Sequence, residues 1–174
     1  MILTAHAIQN LRDSGKITIQ PFDMENLGTI SYKFSLGEFI IPIAQMQDSK
    51  NPSKDSIYKI PSTGMLLRPD TLYLASTHEN LGSTYFAQMI FGVKRIATLG
   101  IYIDISANLG HIGAVTHWTL EITVVQPVVI YPRQPIGQIV FWCPQGHQKT
   151  YQGKYNHKEK PQKSMIWLEL INKS

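Results

Sequence analysis

The chain has 174 residues, 43% of them hydrophobic and 16% charged, with a formal net charge of +4. Such apolar content excludes a disordered chain, and the length suits one domain, residues 1–174, with a sizeable core. Nothing approaches the roughly 18 consecutive apolar residues of a membrane span; the start MILTAHAIQNLRDSGK lacks a signal-peptide pattern, and the lone Cys143 excludes an internal disulfide, so a cytoplasmic protein without membrane partners is expected.

Thr4 is placed to cap a helix that carries Ile8 and Leu11 on one face, and Ser14-Gly15 is placed to stop it. Beyond it the pattern becomes strand-like, in runs divided by proline and glycine. Residues 30–41, 71–76, 101–106, 118–125, 136–142 and 165–170 read as strands. The polar stretch 47–56 (QDSKNPSKDS) reads as an exposed loop. Residues 85–97 fit either a helix, with Phe86, Met89, Ile90, Val93 and Ala97 on one stripe, or a strand followed by a helical turn. Many short strands and one clear helix predict a mainly β barrel or sandwich.

The excess charge sits in one place. Lys149, Lys154, Lys158, Lys160 and Lys163 face a single acid, Glu159, with Tyr151 and Tyr155 interleaved and Gly146 and Gly153 nearby. Residues 146–164 therefore read as a basic flap able to close over phosphates, against the plainer reading of a solvated tail or weak nucleic-acid patch. An OB-type nucleic-acid surface is disfavoured, because the strands carry no aromatic ladder.

Among the histidines, His6, His78, His111, His117, His147 and His157, none forms the HExxH pattern, and one cysteine cannot build a His/Cys/Cys zinc site. No protein metal site is expected. The strand WTLEITVV is more informative: Trp118, Leu120, Ile122 and Val124 share one face, and Thr119, Glu121, Thr123 and Val125 the other. Glu121 is the sole acid between Asp104 and Glu159. A carboxylate in apolar surroundings is suited to proton transfer near neutral pH, although most strand glutamates simply face solvent.

Motifs along almost the whole chain resemble those of the dCTP deaminases, relatives of the trimeric dUTPases. The opening MILTAHAIQNLRDSGKITIQPF is similar to the family's first helix and its I-x-I-x-P-F strand. Ser31 to Gly37 (SYKFSLG) resembles S-Y-D-L-x-L-G, Ile105-Ser106-Ala107 resembles V-T-A, and Leu120-Glu121 falls on the family's L-E. Ile130-Tyr131-Pro132 and the run IGQIVF at 136–141 resemble L-x-P-G-M-x-I-G-Q-L-x-F, and YQGKY at 151–155 resembles the closing Y-x-G-K-Y.

The resemblance implies a distorted antiparallel β-barrel of the dUTPase-like, β-clip kind, with a short N-terminal helix, assembled as a homotrimer with sites at subunit interfaces. It implies conversion of dCTP to dUTP and ammonia, as part of deoxynucleotide metabolism. Magnesium arrives with the triphosphate, and no zinc takes part. Glu121 would exchange protons with the attacking water and the leaving amine. Ile105, Ser106 and Ala107 would face the pyrimidine. Lys94, Arg95, Thr98, Gln138, Tyr151, Lys154 and Lys158 would complete the nucleotide site. Where the family reads R-S-S-L-x-R-L-G this chain has VKRIATLG at 93–100, and His111 stands where the family has an acid. Lys94 and Arg95 retain charge for phosphate, but Val93 and Thr98 remove two arginines and Lys94 removes a serine hydroxyl. An alternative is therefore a catalytically degenerate relative that binds a nucleotide as a sensor or regulator. Diphosphate cleavage as in dUTPases is disfavoured by His111 and Lys94.

Overall fold

The structure is a computed structural model that describes residues 1–43, 46–156 and 158–171. The first helix, α1 (Ala5–Asp13), buries Ile8 completely. It ends as expected at Ser14 and Gly15, whose φ of 75° suits glycine, and the Lys16 and Ile17 amides close back on the Leu11 carbonyl. Thr4 occupies the capping position, but its side chain makes no capping hydrogen bond. The Ala5 amide instead donates to the Thr29 carbonyl at 2.8 Å.

The strands follow in chain order: β1 (Thr18–Gln20), β2 (Tyr32–Pro42), β3 (Tyr58–Lys59), β4 (Met65–Leu67), β5 (Tyr73–Thr77), β6 (Asn80–Gly82) and β7 (Ala87–Gly92). After the short helix α2 (Lys94–Ala97) come β8 (Ile101–Ile103), β9 (Leu109–Gly110), β10 (Val115–Thr116), β11 (Thr119–Val124), β12 (Val128–Ile130) and β13 (Pro135–Trp142). A final helix, α3 (Trp167–Ile171), closes the described chain. Among the described residues, β8-β11-β5-β2-β13-β7-β9 form the main sheet with β3 on the flank of β2, while β1-β6-β10 and β12-β4 form smaller sheets. Every pairing is antiparallel. The mainly β, curled half-barrel architecture is the one the sequence predicts.

Strand β2 organises the curl. Its first residues, Tyr32 to Ser35, pair with β13, and Leu36 to Pro42 pair with β5 after a register shift between Leu36 and Ile40. Gly37 lies in that shift, where a Cβ would stand 2.8 Å from the Ser76 carbonyl oxygen. Two backbones thus approach more closely than a side chain permits. Tyr32, Phe34, Leu36, Leu120, Ile122, Ile139 and Phe141 all fall on the inner face and are fully buried. Among the described residues no helix is long and apolar enough to cross a membrane.

On folding, one open alternative is settled and two expectations change. Residues 85–97 take the second of their two readings, strand β7 followed by the helical turn α2. The strand expected over 101–106 stops at Ile103, because Asp104 adopts a φ of 43° and turns the chain out of the ladder. Residues 165–170, expected as a strand, lead instead into α3. No sheet edge receives them, and local bonds from the Leu168, Glu169 and Leu170 amides to the Met165 and Ile166 carbonyls satisfy the backbone.

Gly37→Ala forces a methyl group against the Ser76 carbonyl, so urea unfolding should show a loss of about 1–3 kcal/mol without loss of the fold. An unchanged midpoint would mean that β2 and β5 separate there at no cost.

Candidate active site

Strand β11 sorts its side chains as the alternation requires. Leu120, Ile122 and Val124 enter the core, and Glu121 emerges half-buried on the opposite side, into a cleft of about 760 Å³. Trp118 and Thr119 lie beside it, Leu74 of β5 adjoins it, and Ala107, Leu109 and His111 form another wall. Gln47 to Ser49, Pro52 and Ser53 contribute a third wall, so the stretch read as a plain exposed loop borders the site. The C-terminal segment supplies the fourth, through Tyr151, Tyr155, Gln162 and Lys163.

Behind Glu121 lies Asp104. Its Oδ1 accepts the Glu121 amide N–H at 2.8 Å, and its own amide donates to the Glu121 carbonyl at 3.0 Å. Asp104 is 4% exposed, and its Oδ2 has no hydrogen-bond partner among the described residues. Burial pushes its carboxyl up to about 7; the Glu121 amide pulls the other way, and the Glu121 charge adds a smaller upward push. The strongly perturbed carboxylate is therefore Asp104, which sequence reasoning passed over. Periodicity gives no signal for it, because alternation would place Asp104 on the exposed face of Tyr102, and only the turn at Asp104 buries it.

The tail is docked by its backbone and by the side chain of Asn156. The Tyr151 amide donates to the Ile112 carbonyl at 2.7 Å, and the Tyr151 ring stacks on His111 with centroids 5.2 Å apart. Asn156 accepts the Val115 amide at 2.9 Å and donates to the Gly113 carbonyl at 3.0 Å. The Lys158 amide donates to Thr116 Oγ1, its carbonyl accepts the His117 amide, and the Gln162 amide donates to Thr119 Oγ1. Lys163 crosses to the opposite wall, donating to the Ser53 carbonyl at 2.5 Å and lying 3.9 Å from Asp55. Among the described residues the Lys154 ammonium meets Glu169, at 3.4 Å and in the open, a contact of small energetic weight.

The cleft gathers Glu121, Ala107 and Tyr151 of the residues expected from the sequence. Ile105 and Ser106 precede Ala107 but face outward, Ile105 with 73% exposure. Lys154 and Lys158 belong to the tail without lining the cleft. Lys94, Arg95 and Thr98 sit exposed on and just after α2, outside the cleft, and the Thr98 hydroxyl donates to the Arg95 carbonyl at 3.1 Å. Gln138 is on β13 opposite Lys33 and Phe91, where its Oε1 accepts the Ser31 hydroxyl at 3.0 Å. His117 turns to the Thr77 carbonyl, and His157 lies outside the described residues. Among the described residues no three His, Cys, Asp or Glu side chains converge as a metal site.

Comparison with known proteins gives a consistent picture. Residues 2–143 match the family model described as dCTP deaminase-like. The chain is 35% identical over 172 residues to a protein of Clostridium beijerinckii named dCTP deaminase, dUMP-forming, covering 97% of this chain and 98% of that one. A protein of the same name from Hathewaya histolytica is 36% identical over 171 residues, covering 97% and 99%. In fold, the chain is similar to the crystal structure of 2′-deoxycytidine 5′-triphosphate deaminase from Agrobacterium tumefaciens, with a TM-score of 0.65 at 18% identity. That match covers 82% of this chain and 48% of the longer one.

The buried Asp104 makes stability depend on pH. The folded chain holds its proton up to about pH 7, whereas an unfolded chain releases it near 3.8, so raising the pH across that interval favours unfolding. The stability of the wild type relative to Asp104→Asn should therefore fall between pH 5 and pH 8, as read by urea denaturation. A flat difference would show that the Asp104 carboxyl ionises alike in both states.

Proposed function

The chain belongs to the dCTP deaminase-like family, and we propose that it deaminates dCTP and releases dUMP. The dUTP product expected from the sequence is corrected by the similar proteins, which are named dUMP-forming. Conversion of dCTP to dUMP must remove ammonia and also the two outer phosphates. Each loss consumes one water, so diphosphate cleavage, disfavoured on sequence alone, forms part of the reaction.

The observation that carries this reading is Glu121, held in mid-strand and half-buried in a cleft that the basic tail borders. Glu121 takes a proton from the water that attacks C4 of the cytosine ring. It returns the proton to the exocyclic amine, the C4–N bond breaks, and ammonia leaves. The backbone of Ile105, Ser106 and Ala107 faces the pyrimidine edge. Tyr151 closes the cleft, and Lys154 and Lys158 reach the phosphates, Lys154 giving up only its exposed contact with Glu169. Magnesium belongs to the substrate here, bound to the triphosphate oxygens.

Lys94 and Arg95 enter this scheme from a second copy. They lie outside the cleft of their own chain, while Ile105, Leu109 and Val125 present exposed apolar surface. A homotrimer with sites at its interfaces uses both features: apolar surface is covered, and the α2 cations meet a neighbour's nucleotide. A second reading, nucleotide binding without turnover, is favoured by one observation. The Thr98 hydroxyl is engaged by the Arg95 carbonyl, and no arginine stands at 98 to help hold an attacking water.

Incubation of the pure protein with dCTP and magnesium should yield ammonia and dUMP in equal amounts, followed by ammonia assay and nucleotide chromatography. Glu121→Gln keeps the size of the side chain but cannot accept the water's proton, so turnover should fall by roughly 10²–10⁴ with the fold intact. Tight dCTP binding with no ammonia from the wild type would replace the enzyme reading by the sensor reading.

Phosphate recognition has its own measurement. The double variant Lys94→Ala, Arg95→Ala should bind dCTP about tenfold or more weakly by calorimetry, because charge-assisted bonds to phosphate are lost. Light scattering of the same samples should give three chains per particle. A monomer with undiminished affinity would place the phosphates elsewhere.

A further inference from the structure

We infer that Asp104 is a positioning residue that ties the Glu121 strand to the 105–107 loop, fixing the carboxylate and the pyrimidine-facing backbone in one register. The inference rests on the deamination reading and adds to it a residue that no step of the mechanism uses.

The geometry begins with the ladder. Strands β8 and β11 pair through Val124–Ile101, Thr123–Tyr102 and Ile122–Ile103, and the next rung would join Glu121 to Asp104. One half of that rung is present, the Asp104 amide on the Glu121 carbonyl at 3.0 Å. The other half is not made by the backbone. At a φ of 43° the chain has turned out of the strand, and the side-chain Oδ1 accepts the Glu121 N–H at 2.8 Å in place of a carbonyl. The carboxylate thus completes the rung from which the chain departs. On its other edge Glu121 lies opposite Leu74 of β5, where the pairing of its strand continues.

The turn has a purpose beyond the rung. A strand continued past Ile103 would bury residues 105–107 in pairing and leave their amides and carbonyls unavailable to a ligand. Aspartate and asparagine adopt the left-handed region more readily than other residues with a side chain, and both carry a short acceptor. Of the twenty side chains, these two combine that turn with the acceptor this rung requires. Asp104 is 4% exposed, which fixes the acceptor among packed neighbours. It faces the charged Glu121 of β11; Lys94 and Arg95 of α2, which packs on β8, make no ion pair with it among the described residues.

Substitution at 104 separates this role from simple support of the fold. Asp104→Asn retains the turn and the acceptor, and Asp104→Ala retains neither. In ¹⁵N-labelled protein without nucleotide, the Glu121 amide resonance and those of residues 105–107 should move together in the alanine variant and stay near their wild-type positions in the asparagine variant. With dCTP, Asp104→Ala should lower kcat per folded molecule by about tenfold or more with KM within about twofold, since misplacement by about an ångström has that effect, and Asp104→Asn should restore it. If alanine prevents folding, Asp104→Gly keeps the turn, removes the acceptor and carries the same comparison. A Glu121 amide that does not move in a folded alanine or glycine variant overturns the inference, as does an unchanged kcat. Absence of ammonia from the wild type overturns the functional reading instead, and the resonances still decide whether Asp104 holds Glu121 and the loop together.

Discussion

The molecule depends on β2 serving two partners in succession. Its first residues pair with β13 and its later ones with β5, with the register shift between Leu36 and Ile40 joining the two pairings. An unbroken register would keep one neighbour along the whole strand and give a flatter sheet. The shift bends the strand, increases its twist and curls the sheet toward closure. Gly37 permits it, because the β5 backbone comes within the space a Cβ would fill. The buried aromatic and aliphatic side chains of β2, β11 and β13 then meet inside the curve, and what they exclude from the core is left for the cleft.

Glu121 is a consequence of that arrangement. On a strand whose Leu120 and Ile122 are fully buried, the intervening residue must face the other way, and the 107–111 and 47–53 segments close around that side. The pleat of a central strand fixes the backbone from which this carboxylate projects, a useful property in the proton-transfer role proposed for it. The cost of this precision appears at Asp104, a second carboxyl placed in a poorly solvated position with one oxygen unpartnered. Its Oδ1 completes a strand rung, and its backbone starts the loop that leaves the sheet.

The C-terminal segment reconciles two requirements on one stretch of chain. It is fixed to the segment Ile112 to Thr119 by the backbones of Tyr151, Lys158 and Gln162 and by the side chain of Asn156, while Lys154 and Lys160 remain exposed. Position is set by buried and half-buried hydrogen bonds, and charge stays at the surface, ready for an anion. Lys163 joins this segment to the 47–56 loop across the cleft, through Ser53 and Asp55, so two otherwise irregular pieces of chain become walls of one site.

Much of this was legible in the sequence. The helix over residues 5–13, the principal strands and the inward faces of β11 and β13 follow from local periodicity, which tertiary contacts reinforced. The motifs carried the family, and Glu121 stood out as a lone acid on an alternating strand. Tertiary structure alone decided the rest. Residues 165–170 became helix because, once the chain was folded, their amides bonded locally to the Met165 and Ile166 carbonyls rather than to any strand. Lys94, Arg95 and Gln138 lie near cleft residues in sequence motifs but not in the cleft of one chain, because antiparallel pairing sends neighbouring segments to different sides of the sheet. Asp104 was invisible for the same kind of reason. A residue's periodicity reports which face it occupies, whereas hydrogen bonding across strands, burial and a left-handed turn arise only when β8 meets β11.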